Sequence, residues 1–231
     1  MNAASALSDR LDEVRARIAR AAARSGRDPE AVTLIAVVKT VPPQRVRDAV
    51  ALGLRDLGEN RVQEAEGKIA ALGREGLRWH MIGHLQRNKA GRAVELFDRV
   101  HSVDSAELAL ALARRAEAAG RRLPVLVEVN VSGEASKFGV APEALPELLE
   151  AVRALPALAL DGLMTVGPPV ERAEDARPCF ARLRALRDSA ERRLGAALPH
   201  LSMGMSGDYE VAVEEGSTLV RVGTALFGPR A

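Results

Sequence analysis

The 231 residues carry 33 Lys and Arg against 31 Asp and Glu, a net charge of +2, with 47% hydrophobic and only 3% aromatic residues. That is enough chain for one large domain or two small ones around a full core, and the balanced charge excludes a disordered polyelectrolyte. One Trp, one Tyr and four Phe are scattered through the sequence, which argues against a stacking surface for nucleic acid.

A single cysteine, Cys179, excludes an internal disulfide and a multi-cysteine metal site, and predicts a reducing compartment. Its neighbours Arg177, Pro178 and Phe180 suggest a helix-packing role. The opening MNAASALSDRLDEVRARIAR has no apolar export core and contains Asp9, Asp12 and Glu13, while no later run reaches the roughly 18 apolar residues of a membrane span. A soluble, cytoplasmic protein is therefore expected.

In chain order, Leu7, Leu11, Val14 and Ile18 recur at helical spacing and predict an amphipathic first helix, stopped by Gly26-Arg27-Asp28-Pro29. The β-branched run Val32 to Lys39 predicts the first buried strand, and Pro42-Pro43 then opens a helix to about Leu52. Leu54 to Leu57 predicts a second strand, followed by a helix from about Asn60 to Leu72. The third strand is placed at Trp79 to Ile82 with a helix from Gln86 to Leu96, and the fourth at Arg99 to His101 with a helix from Asp104 to Ala119. In the fifth, Pro124 to Val131, alternation puts Val125, Val127, Val129 and Val131 on one face and Leu126, Glu128 and Asn130 on the other. A helix from Pro142 to Leu155, a sixth strand at Leu160 to Met164 and a long helix to Leu194 follow. His200 to Ser202 is the seventh strand, a helix begins near Ser206-Gly207-Asp208, and Leu219 to Val222 is the eighth strand before the closing TALFGPRA.

Strands alternating with helices predict a parallel sheet, and this many units in about 200 residues predict a single (β/α)8 TIM barrel with an extra N-terminal helix, one domain over residues 1–231. No G-x-G-x-x-G follows the first strand, which disfavours a doubly wound open sheet.

In such a barrel the chemistry sits where strands end, at their carboxyl side. Lys39 closes the first strand directly after Ile35, Ala36, Val37 and Val38, so its amine emerges from the barrel wall. Desolvation disfavours an ammonium, and a neutral amine is what attacks an aldehyde; a strand-end lysine pointing to water is the competing reading. Ser202-Met203-Gly204-Met205-Ser206-Gly207-Asp208 and Arg221-Val222-Gly223-Thr224 follow strands seven and eight, where barrels often hold a phosphate on glycine-rich backbone. Two tight turns would use the same residues for backbone reasons alone. Alternation turns Arg221 into the barrel, where its guanidinium needs an acceptor, either a cofactor ring nitrogen or an inward acid such as Glu128.

His80 and His84 have the spacing of a helical metal pair, but Gly83 and the Trp-His-Met-Ile setting point to a strand and turn, so no metal is expected. His101 and His200 read as strand-end packing residues, and Glu134 to Gly139, with Lys137, as a solvated turn. The Arg and Glu alternation at Arg114 to Glu117 and Arg182 to Arg193 reads as solvated helix surface.

The segments AVVKTVPP, LGENRVQEAEGK, WHMIGHLQRNK, VNVSGEASKFGV, GLMTVGP and SMGMSGDYEVAVEEGSTLVRVGTALFG resemble the pyridoxal phosphate homeostasis protein family. The resemblance implies a fold-type III barrel similar to the barrel domain of alanine racemase and the eukaryotic ornithine decarboxylases. It implies that Lys39 carries pyridoxal 5′-phosphate (PLP) as a Schiff base, that Ser206, Gly223 and Thr224 hold the phosphate, that Arg221 faces the pyridine nitrogen, that Asn60 lies near the ring and that Met203 lines the site. Arg87 departs from the small polar residue expected in HLQxNK, and Val166-Gly167 varies the sixth loop.

The implied role is intracellular PLP homeostasis by a monomer, which buffers the cofactor and supplies it to PLP-dependent apoenzymes. A guanidinium does not release its proton near neutral pH, so a pyridine nitrogen facing Arg221 stays unprotonated and the ring is a weak electron sink. Apart from the PLP lysine no catalytic residue is expected. Tyr209 is the only tyrosine, and the eight units leave no length for a further domain that would complete a racemase. A low-efficiency PLP-dependent amino-acid racemase is the alternative, and a phosphate-sugar aldolase using Lys39 a third reading.

Overall fold

A computed structural model describes residues 3–134 and 136–229. Its strands are β1 (Thr33–Val37), β2 (Asp56–Glu59), β3 (Arg78–Met81), β4 (Arg99–Val103), β5 (Leu123–Glu128), β6 (Leu158–Met164), β7 (His200–Ser202) and β8 (Leu219–Val222). Every pairing is parallel and the strands close in sequence order into one barrel, β8 returning to β1 with Arg221 opposite Ile35. The helices are α1 (Ala3–Arg24), α2 (Pro43–Ala51), α3 (Val62–Leu72), α4 (Ala90–Leu96), α5 (Ala106–Ala118), α6 (Leu145–Arg153), α7 (Arg177–Leu194), α8 (Tyr209–Glu214) and α9 (Thr224–Phe227). The expected (β/α)8 barrel with a leading helix is therefore present.

The amphipathic stripe of α1 works as the sequence indicates: Leu7, Leu11, Val14 and Ile18 are all buried, and the helix packs across α8 and α9. Arg17 and Arg24 on its outer face pair with Glu210 and Glu214 of α8. The main core lies between the outward faces of the strands and the surrounding helices, and includes Ala36, Val38, Val100, Val125, Val127, Val220 and Val222. The barrel interior is different. Among the described residues its apolar cluster is Ile35, Leu126, Met164 and Leu219, and beside it Asp56, His80, His101, Ser202 and Arg221 are buried polar groups.

Boundary differences have local causes. The second strand starts two residues later than expected: buried Leu54 instead closes α2, its N–H bonding Ala49, while Gly58 and Glu59 pair with His80 and Met81. A Cβ on Gly58 would lie 2.9 Å from both Ile35 and Ile82, so this loop-like residue is where the barrel wall needs no side chain. The fifth strand ends at Glu128, three residues early, where the chain turns to bridge the returning segment: the Val140 N–H donates to the Glu128 carbonyl and the Asn130 N–H to the Val140 carbonyl. The helix expected from Gln86 is split into a 3-10 turn, Arg87–Lys89, and α4.

Candidate functional site

At the carboxyl ends of the strands, a cleft of about 430 Å³ is lined by Lys39, Asn60, Ser206, Arg221, Gly223 and Thr224, with Val37, Ile82, Val166, Met205 and Gly207 completing its walls. This volume falls within the ~300–1,000 Å³ typical of small-molecule sites.

Strand β1 delivers Lys39 on the same face as Ile35 and Val37, and the residue is half-buried. The turn behind it is held by an acid and base cluster drawn from the GENRVQEAEGK segment. The Lys68 ammonium donates to the Val38 carbonyl at 2.7 Å and pairs with Glu59. Burial pushes the Glu59 carboxyl up, opposed by the Lys68 charge. Thr40 adopts a φ of 61°, unusual for a β-branched residue, and its N–H donates to Glu64 Oε2 at 3.2 Å. Asn60 is set by the next loop: a Cβ on Gly83 would lie 2.6 Å from the Asn60 carbonyl oxygen, so only glycine permits this approach. The Asn60 Oδ1 is buried without a hydrogen-bond partner.

The opposite corner is rich in backbone donors. Ser206 Oγ accepts from the N–H groups of Gly223 at 3.1 Å and Ala225 at 3.2 Å. Asp208 Oδ1 accepts from the Met205 N–H at 2.6 Å and so shapes the loop that carries Ser206. Gly204 has a φ of 91°, and a Cβ there would lie 2.5 Å from Ala212 Cβ, which makes glycine obligatory in this turn.

Arg221 crosses the interior, 4% exposed, donating from Nη1 to Ser202 Oγ at 2.6 Å and from Nη2 to the Thr165 carbonyl at 2.9 Å. Burial lowers its pKa to about 10, which leaves it cationic at neutral pH. The inward acid Glu128 is not its hydrogen-bond partner. Glu128 is 5% exposed, its Oε2 has no hydrogen-bond partner, and burial raises its carboxyl to about 7 against the pull of Arg221.

Some expected placements differ. Met203 does not line the cleft: strand alternation turns Ser202 inward, so Met203 points out into the main core, fully buried, and Met205 takes the cleft wall. His101 is no strand-end packing residue but an interior group bonded to His80 and Ser202. The segment from Glu134 to Gly139, of which Ala135 lies outside the described residues, is the expected exposed turn, with Glu134, Ser136 and Phe138 open to solvent, but it is braced by its own contacts. Asn130 Nδ2 donates to the carbonyls of Glu134 and Lys137, Lys137 pairs with Glu134 at 2.9 Å, and the Phe138 ring stacks on His84 at 3.8 Å. Among the described residues no group of three or more His, Cys, Asp or Glu could hold a metal ion. The interior histidines follow from the alternation that turns Arg221 inward, which also applies to His80 between Trp79 and Met81 on β3 and to His101 after Val100 on β4.

The first strand stops at Val37 and Lys39 stands in the turn two residues beyond it, not at the strand's end as expected. A closed parallel barrel with a lysine just after its first strand, and a donor-rich corner between its last two, defines the alanine-racemase type of barrel. Residues 10–231 match the family described as "Alanine racemase, N-terminal domain". The chain is 48% identical over 222 residues to the pyridoxal phosphate homeostasis protein of Aquifex aeolicus, covering 96% of this chain and 97% of that one. It is 50% identical over 226 residues to the protein of that name from Pseudomonas aeruginosa, covering 98% and 96%. PipY of Synechococcus elongatus, in a structure with PLP bound, is 38% identical with a TM-score of 0.84 over 96% of this chain and all (100%) of that chain. Alanine racemase of Clostridium difficile shares the fold, at 15% identity and a TM-score of 0.77, over 98% of this chain and 57% of that one. The chain belongs to the pyridoxal phosphate homeostasis protein family.

Proposed function

We propose that this protein binds pyridoxal 5′-phosphate in the cleft at the carboxyl end of the barrel and serves intracellular PLP homeostasis, holding the cofactor and supplying it to PLP-dependent apoenzymes. The observation that carries this is the convergence of Lys39, Arg221 and the Ser206, Gly223 and Thr224 corner on one cleft, supported by the PLP-bound structure of a relative. When bound, the cofactor supplies a reactive aldehyde, an electron-poor ring and a dianionic phosphate.

The residues fit such a group. Lys39 would hold the aldehyde carbon, and the clamp of Lys68, Glu59 and Glu64 keeps its turn in place. The Gly223 and Ala225 amides already satisfy one oxygen, that of Ser206, and the Ser206 hydroxyl with Thr224 would offer further donors to phosphate oxygens. Arg221 would present its remaining guanidinium N–H groups to the ring nitrogen, and the buried, partnerless Asn60 Oδ1 supplies an acceptor on the cleft wall. Incubation with PLP followed by desalting is expected to leave a visible absorbance band that Lys39→Ala lacks. Absence of the band in the wild-type protein would overturn the reading.

The same reading holds that the protein is not a turnover enzyme. A cationic Arg221 opposes protonation of the ring nitrogen and so weakens carbanion stabilisation. Tyr209 is 1% exposed beneath Arg17 of α1, whose guanidinium carbon lies 5.4 Å from the ring centre, and it does not line the cleft. Cα exchange of any L-amino acid in deuterated water at about 1 per second or faster would refute this part and favour a racemase. The reading places the protein in the cytoplasm as a monomer; the lone Cys179 fits a reducing compartment, and burial pushes its thiol up.

A further inference from the structure

Arg221 is the last member of a buried hydrogen-bonded chain that crosses the barrel. Beyond its 2.6 Å bond to Ser202 Oγ, that oxygen lies 2.9 Å from His101 Nδ1, His101 Nε2 lies 3.0 Å from His80 Nδ1, and His80 Nε2 lies 3.0 Å from Asp56 Oδ1. Asp56 then meets Arg78 in a two-point contact, at 2.7 and 2.5 Å. His80, His101 and Ser202 are buried. Asp56 and Arg78 line a second cleft at the other end of the barrel.

The chemistry of the two ends fixes the polarity of every link. A guanidinium cannot accept, so Ser202 Oγ accepts from Arg221, which leaves its own hydrogen available to His101 Nδ1. A neutral imidazole with a bare Nδ1 carries its hydrogen on Nε2, which His101 gives to His80 Nδ1, and His80 then gives its Nε2 hydrogen to Asp56. The far end makes these directions obligatory for two neutral rings. Burial pushes the Asp56 carboxyl up, but hydrogen bonds from His80 and Arg78 outweigh it and bring it down to about 2, so it is an acceptor only. Burial holds both imidazoles neutral. His101 is faced by His80 on β3, Arg99 on its own strand, His200 on β7 and Arg221 on β8, all of which oppose its protonation; His80 is faced by Arg99, which opposes it, and by Asp56 and Asp98, which favour it.

We propose that this chain is a positioning device for the cofactor: Ser202, His101 and His80, anchored on Asp56, hold Arg221 in one orientation and one donor pattern, so that its free N–H groups are aimed at the ring-nitrogen side of the cleft. The inference rests on the reading that Arg221 faces the ring nitrogen, and it extends that contact to residues at the opposite end of the barrel. None of the positioning residues except Arg221 lines the cofactor cleft.

Two experiments separate the chain from the cofactor reading. In the unloaded protein labelled with 15N-histidine, His80 and His101 are expected as predominantly neutral rings protonated on Nε2 at about pH 6.5, where an ordinary histidine is half protonated. An imidazolium, or a hydrogen on Nδ1 of either ring, would overturn the chain. In the PLP-loaded protein, Ser202→Ala is expected to shift the absorbance maximum and raise the PLP dissociation constant roughly tenfold, the scale of one hydrogen bond to a charged group, with Lys39 attachment intact. His101→Gln, with its smaller side-chain bulk, should shift the band in the same direction. A fall in melting temperature with unchanged band and affinity in both variants would show a structural role only and refute positioning. No band in the wild-type protein would instead overturn the cofactor reading, and the positioning role with it, while the histidine spectra would still decide the polarity of the chain.

Discussion

Glu128 provides a quantitative test of the barrel interior. Its carboxyl is 5% exposed, has an oxygen without a hydrogen-bond partner, and is raised by burial from 4.5 to about 7. At about 1.4 kcal/mol per pH unit, that rise amounts to about 3 kcal/mol. In the window between 4.5 and about 7 the folded protein binds a proton that the unfolded chain has lost. Stability therefore falls as pH rises through that window, and above it the full cost of a buried carboxylate is present. Glu128→Gln replaces the acid by a neutral group of the same shape. In urea unfolding of the unloaded protein, the variant is expected to match wild type at about pH 4 and to exceed it by about 3 kcal/mol at about pH 8.5. The difference between the two proteins cancels the titration of all distant groups. A difference that does not change with pH would refute the reasoning, since it would mean that Glu128 titrates alike folded and unfolded.

Removing the Thr224 hydroxyl with Thr224→Ala should weaken PLP retention by about 1 to 2 kcal/mol, measured by equilibrium dialysis; unchanged retention would remove Thr224 from the phosphate corner. Lys68→Met leaves the 0% exposed Glu59 without its counter-charge and should destabilise by about 3 kcal/mol or more. Glu59→Gln added to it should restore most of that loss in urea unfolding, and failure to restore it would show that Lys68 acts through packing. For Asp56, held near 2 rather than 3.8 in the fold, the sign is opposite to Glu128. Its contribution is present above 3.8 and is lost as pH falls through about 2, so Asp56→Asn should cost about 2 kcal/mol at neutral pH and nothing at about pH 1.5. A cost that persists in acid would assign the effect to geometry instead of charge.

The strands and helices were readable because their signals are local. The β-branched run before Lys39 and the alternating valines of β5 are buried on both faces, as strands of a barrel wall are, and α1 buries its apolar stripe; β7 and β8 lie at the expected residues. Alternation also turned Arg221 inward correctly, as its 4% exposure shows. The same rule turns Met203 outward, next to inward Ser202, against the cleft position that the resemblance implies. Gly58 and Glu59 read as loop because glycine and a charge rarely end a strand; in the fold the glycine makes room for Ile35 and Ile82, and the acid is matched by Lys68 from α3.

By itself the sequence determined the alternation of strands and helices, the closed parallel barrel that follows from it, and the lysine and glycine-rich turns at the strand ends. It did so because hydrophobic period and turn chemistry are properties of neighbouring residues. Only the tertiary structure decided which polar groups meet. Asp56, His80, His101, Ser202 and Arg221 come from five separate strands, and their contact depends on barrel closure and inter-strand register. The donor directions follow only once Arg221 and Asp56 stand at opposite ends of one buried line, where each unpaired group would carry the full cost of leaving water.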